Sequence, residues 1–287
     1  MILEHPSDPL VLRLHRLALK TFPFRRLTKT FWPSVKTRIR GAWFQIRPHD
    51  NGSETHAWRT ADLREPRSTE RLLSEVTKAP CFVVDIGANC GFYSVFLGKY
   101  APPGSRVLAF EPNPEMSQRL RKNLTLNDLN DRVEVHETAL SDGAEATRTL
   151  FIEQSRGNSS LEASESAIKK ITVPTRRLSD VLDEAAEEQT IIVKIDIEGH
   201  EPSVLSPLFC AQDARLPDIL LIEVAHAAQW KTDLRGQIAD ADYRTAFEDS
   251  VEGNTMFQRT RDLPRTQKDP TENSSMLSRA SVGDWAS

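Results

Sequence analysis

Short apolar runs alternate with helical patterns along the middle of the chain. The apolar runs lie at 81–86, 106–110, 132–136, 190–196 and 218–224. Continuous apolar runs of this length are typical of strands that are covered on both faces. Apolar residues recur at helical spacing after residues 91 and 113 and over 177–186, which predicts helices between the strands. We therefore predict an α/β fold with a doubly wound sheet, whose ligands bind at the carboxyl ends of the strands.

The pattern divides the chain into four zones. Residues 1–40 form a basic, amphipathic N-terminal extension, and 41–80 form a lead-in of strand and helix. Residues 81–258 hold the alternating pattern and form the main domain. Residues 259–287 are polar and lack periodicity, which predicts a disordered tail.

The N-terminal extension differs in charge from the rest of the chain. Residues 1–40 contain nine Lys or Arg against two acidic residues, whereas the whole chain has 37 basic and 41 acidic residues and a net charge of −4. Apolar residues at helical spacing after Asp8 and Pro9 favour an amphipathic helix. Three interpretations stay open: packing on the main domain, contact with an anionic membrane or a protein partner, and non-specific nucleic-acid binding.

Composition argues against several classes of protein. Three cysteines without a CxxC pair make neither a disulfide framework nor a zinc site, and they fit a reducing compartment. No apolar run approaches 18 residues, and the first residues are not those of a secretory signal. We therefore expect a cytoplasmic protein without a membrane span. The nearly balanced charge of the whole chain argues against a specific nucleic-acid partner.

A glycine turn follows the first strand of the main domain. The segment Asp85-Ile-Gly-Ala-Asn-Cys-Gly has glycines at 87 and 91 but Asn89 where the dinucleotide fingerprint has its middle glycine. A P-loop is excluded as well, because no Gly-Lys-Ser/Thr follows. Such a turn lets a ligand lie against the backbone. The carboxylate of Asp85 at the strand tip suits a ligand that carries an ammonium group rather than phosphates.

An acidic residue follows the second strand of the main domain. Glu111, in Phe-Glu-Pro-Asn over 110–113, occupies the place where mononucleotide-binding folds have a carboxylate that accepts hydrogen bonds from ribose hydroxyls. The turn and this acid together favour a ligand with a ribose, an amino group and no phosphate, and S-adenosylmethionine fits that description. Strand-end acids with capping roles are the structural alternative.

Four segments resemble, in order and spacing, the motifs of FkbM-type S-adenosylmethionine-dependent methyltransferases. They lie at 83–94, 110–114, 139–142 and 193–201. The resemblance covers about 81–258 and implies a class I methyltransferase fold with a Rossmann-like, mostly parallel seven-stranded sheet and an antiparallel edge hairpin. It also implies O-methylation of a sugar or polyketide-type hydroxyl, so the expected partner is a small-molecule or glycan acceptor.

The predicted cofactor site combines the glycine turn, the strand-end acid and the third motif. The full set is Asp85, Gly87, Ala88, Asn89, Gly91, Glu111, Pro112, Ser141 and Asp142. By the resemblance, the turn lines the methionine end of the cofactor and Glu111 binds the ribose. Ser141 and Asp142 are expected near the adenine.

The predicted catalytic site lies at the tip of the fourth strand of the main domain, because transfer to a hydroxyl needs a base beside the transferred methyl group. That tip contains Asp196 and His200, and the next strand is followed by His226. We predict Asp196 as the base or acceptor-orienting group, with His200 and His226 as the other candidates. The substrate-side residues are Lys194, Glu198 and Glu223. No spacing among these residues demands a metal ion, so none is predicted.

Two other functions stay open. One is a catalytically silent domain that binds the cofactor and docks on a partner through residues 1–40. The other is a nicotinamide-dependent oxidoreductase, against which Asn89 argues because the dinucleotide fingerprint needs glycine there.

Overall fold

The computed structural model describes residues 3–4, 34–48, 50–153, 159–161, 167–211 and 213–260. Its strands, in chain order, are β1 (Leu3–Glu4), β2 (Val35–Ile39), β3 (Ala42–Ile46), β4 (Cys81–Ile86), β5 (Arg106–Phe110), β6 (Val133–His136), β7 (Ala139–Ser141), β8 (Thr147–Glu153), β9 (Ser159–Ser160), β10 (Ala167–Arg177), β11 (Thr190–Ile195), β12 (Ile219–Glu223), β13 (Tyr243–Asp249) and β14 (Asn254–Arg259). Its helices are α1 (Gly52–Thr60), α2 (Pro66–Val76), α3 (Phe92–Tyr100), α4 (Pro114–Thr125), α5 (Leu178–Leu182), α6 (Glu201–Cys210) and α7 (Leu234–Asp240), with a short 3₁₀ helix at Ala227–Gln229.

A seven-stranded sheet forms the centre of the fold, with the spatial order β13-β14-β12-β11-β4-β5-β6. β14 runs antiparallel to both of its neighbours, and the other neighbouring pairs are parallel. β4 begins one half of the sheet, and β11 begins the other half beside it. The strand order therefore reverses between β4 and β11, and a crevice opens at their carboxyl ends. The predicted Rossmann-like, mostly parallel sheet with an antiparallel edge hairpin is confirmed.

Helices cover both faces of this sheet. All six residues of β4 are buried, as expected for a central parallel strand. One face packs against α1, α2, α3 and α4, and the opposite face packs against α5, α6 and α7. Two apolar layers therefore enclose the sheet, and they leave its strand ends as the place for polar chemistry.

The lead-in is attached firmly to the main domain. The hairpin of β2 and β3 crosses the boundary drawn at residue 40, and the side chain of Asn123 on α4 accepts a 2.7 Å hydrogen bond from the backbone N–H of Gln45. Two helices follow where the sequence predicts one. They are separate because Ala61 adopts a left-handed conformation that ends α1, and Pro66 starts α2.

A second sheet, which the sequence analysis did not predict, is inserted between β6 and β11. Its strand order is β7-β10-β8-β9, and it encloses a small apolar core of its own. The helix predicted over 177–186 is shorter than expected, since Arg177 ends β10 and α5 ends at Leu182. β10 carries exposed residues on much of its length, so it lacks the apolar run that identifies the central strands.

Three predictions concern the helix near the N-terminus, the C-terminal tail and the absence of a membrane span. The helix predicted after Asp8 lies outside the described residues, as does the predicted tail from residue 261 onward. The start of that predicted tail belongs to the sheet, because β14 includes Arg259 and Thr260 donates a backbone hydrogen bond to Asp242. Within the described ranges, no helix combines the length and the apolar character needed to cross a bilayer.

Candidate active site

A cleft opens at the carboxyl ends of β4, β5, β11 and β12. Its walls come from the turn after β4, from the strand ends and from the lead-in. The lining residues include Asn51, Gly52, Ser53, Arg64, Glu65, Gly87, Ala88, Asn89, Tyr93, Glu111, Pro112, Ser159, Lys194, Asp196, Ile197, Glu198 and Glu223. The predicted residues at the glycine turn and the strand ends therefore meet in one place.

The glycine turn after β4 forms the floor of the cleft. Gly87 has φ of +76°, and a Cβ at this position would overlap the backbone carbonyl oxygen of Asp196. The N–H groups of Gly87 and Ala88 both donate to the carbonyl of Phe110, which ties the turn to the end of β5. The backbone is therefore packed too closely for a side chain at position 87.

Glu111 lies beside this turn and is almost fully buried. Its two carboxylate oxygens accept 2.8 Å hydrogen bonds from the backbone N–H groups of Asn89 and Asn113. Burial raises the pKa of Glu111 to about 7, against the opposing effect of these two hydrogen bonds. The carboxylate is fixed in orientation at the mouth of the turn, with acceptor capacity left for a ligand hydroxyl.

Asp85 lies beneath the cleft floor instead of facing the cleft, which corrects the expectation for its position. The residue is fully buried, and its carboxylate accepts a 2.6 Å hydrogen bond from the Ser94 hydroxyl. Its other oxygen lies 3.5 Å from Nζ of Lys194, which is the residue directly opposite Asp85 in the pairing of β4 with β11. The cross-strand lysine neutralises this buried carboxylate, so Asp85 stabilises the strand ends from below.

Lys194 is itself buried and links Asp85 to Asp196. Its Nζ lies 3.6 Å from Oδ2 of Asp196 and 4.8 Å from the centre of the Tyr93 ring. Burial lowers the pKa of Lys194, but the negative charges of Asp196 and Asp85 outweigh burial and keep the lysine charged. Because the side chain of Asp196 is about a quarter exposed, at 27%, the lysine also orients a carboxylate that faces the cleft.

Several carboxylates crowd the acceptor side of the cleft around Asp196. Burial and the neighbouring Asp196 raise the pKa of Glu223 to about 10, and the same two causes raise the pKa of Glu198. Burial and Asp196 also raise the pKa of Glu65. Each of these three carboxyl groups is therefore harder to ionise than in water, and their crowding around Asp196 favours a ligand that brings positive charge.

His226 is placed next to this carboxylate cluster. Its Nε2 lies 3.0 Å from Oε2 of Glu198, an arrangement in which a carboxylate orients an imidazole for proton transfer. One potential ligand atom from each of Glu198, Glu223 and His226 lies within 4.8 Å of the others. No metal site is predicted from the sequence, and this arrangement does not test that prediction.

Besides Asp85 and His226, four predicted site residues lie outside the cleft lining. The His200 ring is buried at the start of α6, with Nδ1 3.4 Å from the hydroxyl of Ser203. Gly91, with φ of +94°, gives space to the side chain of Leu120 between α3 and α4. Ser141 and Asp142 accept hydrogen bonds from the backbone of the turn that follows β7. Their predicted roles at the cofactor or the acceptor stay predictions.

The part of the lead-in that closes the cleft is not predicted from the sequence. Arg64, Glu65 and the first turn of α1 contribute a whole wall. They lie in a non-periodic, polar stretch, which carries no pattern that distinguishes cleft residues from solvated loop residues. Tyr93 is the second residue after the glycine turn. Its hydroxyl donates a hydrogen bond to Glu65, and only the folded chain creates this contact.

Known proteins are similar in sequence to the main domain of this chain. Residues 85–252 match the family model described as the methyltransferase FkbM domain. The methyltransferase sdnD of Sordaria araneosa is 32% identical over 43% of this chain and 59% of its own length. The hexuronic acid methyltransferase AglP of Haloferax volcanii is 26% identical over 66% of this chain and 74% of its own length. The 2-O-methyltransferase NoeI of Sinorhizobium fredii is 26% identical over 50% of this chain and 65% of its own length. The chain spans slightly less than three fifths of the first curated relatives that it matches.

Proposed function

The chain belongs to the FkbM methyltransferase family, and from this membership we propose that it is an enzyme that methylates a hydroxyl group of a sugar or secondary metabolite. Family membership confirms the predicted cofactor, S-adenosyl-L-methionine. The names of two relatives, a hexuronic acid methyltransferase and a 2-O-methyltransferase, support a sugar acceptor. The observation that carries the proposal is the position of the glycine turn, Glu111 and Asp196 around one cleft.

The residues of the cleft fit this cofactor in their chemistry. Glu111 offers a fixed carboxylate for the ribose hydroxyls. At Gly87 the close approach of Asp196 leaves only backbone on the floor. The surplus of carboxylates over the single buried lysine complements the positive sulfonium and ammonium groups of the cofactor. The bound cofactor supplies a methyl carbon that is already activated for displacement.

The protein's contribution is to orient the acceptor and to accept its proton. Asp196 stands at the tip of β11, held by Lys194 and partly open to the cleft, so it is our first candidate for the base or orienting group. The Glu198–His226 pair is the alternative, since the carboxylate fixes the imidazole. His200 is a weaker candidate, because its ring is buried beside Ser203. Glu223 and Glu198 then form the acceptor wall.

Substitution of the base candidates tests this function. Methyl transfer from a labelled donor is measured with a panel of sugar, uronic acid and polyketide-type hydroxyl acceptors, for the wild type and for Asp196→Asn, His200→Asn and His226→Asn. If Asp196 accepts or orients the acceptor proton, Asp196→Asn lowers kcat by roughly 100-fold or more. Asp213→Asn, an exposed aspartate outside the cleft, is the matched control and keeps the wild-type rate.

The other outcomes decide between the remaining hypotheses for the base and for the function. Wild-type rates in all three variants refute the assignment of the base. Tight cofactor binding without transfer to any acceptor favours the catalytically silent domain. A rate that falls in His226→Asn alone assigns proton acceptance to the Glu198–His226 pair.

A further inference from the structure

The methionine end of the cofactor carries an ammonium and a carboxylate on the same carbon, so its binding requires groups of both charges close together. Asp85 is the residue predicted from the sequence to bind the ammonium. The structure places Asp85 under the floor, engaged by Ser94 and Lys194. If the proposed function holds, the ammonium is therefore left to another acceptor in the cleft.

Glu65 is an acid that reaches the same part of the cleft from outside the matched family region. It lines the cleft together with Gly87 and Asn89. Oε2 of Glu65 accepts a 2.9 Å hydrogen bond from the Tyr93 hydroxyl and a 3.0 Å hydrogen bond from the Asn254 amide. Both donors bind the same oxygen, and among the described residues no hydrogen bond is made to Oε1. The carboxylate is therefore held rigidly with one oxygen available.

A capping role does not explain Glu65. The residue occupies the N-cap position of α2, where an acidic side chain ordinarily accepts a hydrogen bond from the first turn of the helix. Here its side chain makes no such bond. The first turn is capped instead by Glu252, whose carboxylate accepts hydrogen bonds from the N–H groups of Arg67 and Ser68. Glu65 therefore does not cap the helix, and it lines the cleft instead.

Arg64 supplies the opposite charge at the next position in the chain. It lines the cleft, and one guanidinium nitrogen lies so near Gly52 that a Cβ there would be 3.1 Å away. Within the described part of the chain, no carboxylate comes within 4.0 Å of this guanidinium. Arg64 is an exposed residue that lines a cleft rich in carboxylates. Because it pairs with none of the described carboxylates, its donors are available for a carboxylate that arrives with a ligand.

We propose that Arg64 and Glu65 together bind the amino-acid end of S-adenosylmethionine. Glu65 Oε1 accepts a hydrogen bond from the ammonium, and the Arg64 guanidinium donates to the carboxylate. The first turn of α1 lies against the same part of the cleft and adds a favourable dipole for the carboxylate. This inference rests on the proposed function, and it assigns cofactor recognition to the lead-in as well as to the family motifs.

Calorimetry with two ligands isolates this contact. S-adenosylhomocysteine carries the amino-acid end, whereas 5′-methylthioadenosine has the same nucleoside and thioether without it. Glu65→Gln and Arg64→Met are each expected to weaken the binding of S-adenosylhomocysteine by about tenfold or more, the scale of a lost charge-assisted hydrogen bond. The affinity for 5′-methylthioadenosine is expected to stay within about twofold of the wild-type value. Glu187→Gln and Arg59→Met, both exposed and outside the cleft lining, are the matched controls.

Each result of this experiment has one meaning. Unchanged binding of S-adenosylhomocysteine in both variants overturns the inference and leaves the proposed function standing. Equal losses for both ligands also overturn it, because they indicate a distorted cleft. Failure of the folded wild type to bind S-adenosylhomocysteine refutes the proposed function itself.

Discussion

Glu111 is a buried carboxylate whose two oxygens each accept a backbone hydrogen bond. Removal from water disfavours its charged form more than these bonds favour it, so its pKa rises from 4.5 to about 7. Between these two values the folded protein holds a proton that the unfolded chain has released. Folding stability must therefore fall as pH rises through this window.

Replacement of Glu111 by Gln removes this titration. Between about pH 4.5 and 7 the free energy of unfolding of the wild type is expected to fall relative to that of Glu111→Gln, by about 3 kcal/mol in total at most. Urea denaturation of both proteins at several pH values measures the difference. A difference that stays constant with pH would show that Glu111 titrates normally.

The turn between β4 and α3 is an element whose backbone must approach its neighbour closely. Gly87 combines a positive φ with a position where a Cβ would overlap the carbonyl of Asp196. Gly104 also has a positive φ, of +88°, but the nearest atom to a Cβ there is 3.6 Å away. A comparison of substitutions at these two glycines therefore separates the cost of a positive φ from the cost of steric overlap.

Alanine at these two positions gives a matched comparison. Gly104→Ala is expected to cost about 1–2 kcal/mol of unfolding free energy, from the left-handed backbone alone. Gly87→Ala is expected to cost about 1–3 kcal/mol more, because the overlap moves the end of β11. Urea denaturation of both variants measures this. Equal losses would mean that the turn relaxes without disturbing Asp196.

The central strands were predictable from the sequence because strands that are buried on both faces consist mainly of apolar residues. β4 is fully buried and β11 is buried after its first residue, and both consist mainly of apolar residues. β10 is a partly exposed strand of a small second sheet, and its mixed composition gives no such mark. The strand order was implied by the family resemblance and not by the pattern of apolar residues.

The candidate site was predictable only in part, for a related reason. Glu111 and Asp196 follow apolar runs directly, so their places at strand ends are evident from the sequence. Asp85 also ends such a run, but the lysine opposite it in β11 draws its carboxylate below the floor. Cross-strand register is a tertiary property. Arg64 and Glu65 reach the cleft through the path of the lead-in, which no local pattern records.

At the scale of the whole molecule, the lead-in is fastened to the last hairpin of the sheet. Glu252, in the turn between β13 and β14, accepts hydrogen bonds of 2.8 and 2.6 Å from the backbone N–H and the hydroxyl of Ser68. Arg67 Nε lies 2.7 Å from Oδ2 of Asp249 in the same hairpin. Residues far apart in sequence thus hold the start of α2, and with it Glu65, against the cleft.

Loss of this attachment is expected to affect both stability and ligand binding. Glu252→Ala removes the cap of α2 and should lower the free energy of unfolding by about 1–2 kcal/mol. It should also weaken the binding of S-adenosylhomocysteine, because Glu65 directly precedes the helix. Glu188→Ala, at an exposed position, should change stability by less than about 0.5 kcal/mol. Full stability in Glu252→Ala would show that the cap contributes nothing.

The most direct test of the account is calorimetric titration of the wild-type protein with S-adenosylhomocysteine, with NADH as the control ligand and Glu111→Ala as the variant. We predict micromolar binding of S-adenosylhomocysteine by the wild type, none of NADH, and loss of binding in Glu111→Ala. A folded wild-type protein that does not bind S-adenosylhomocysteine would contradict the assignment of this cleft to a methyl donor.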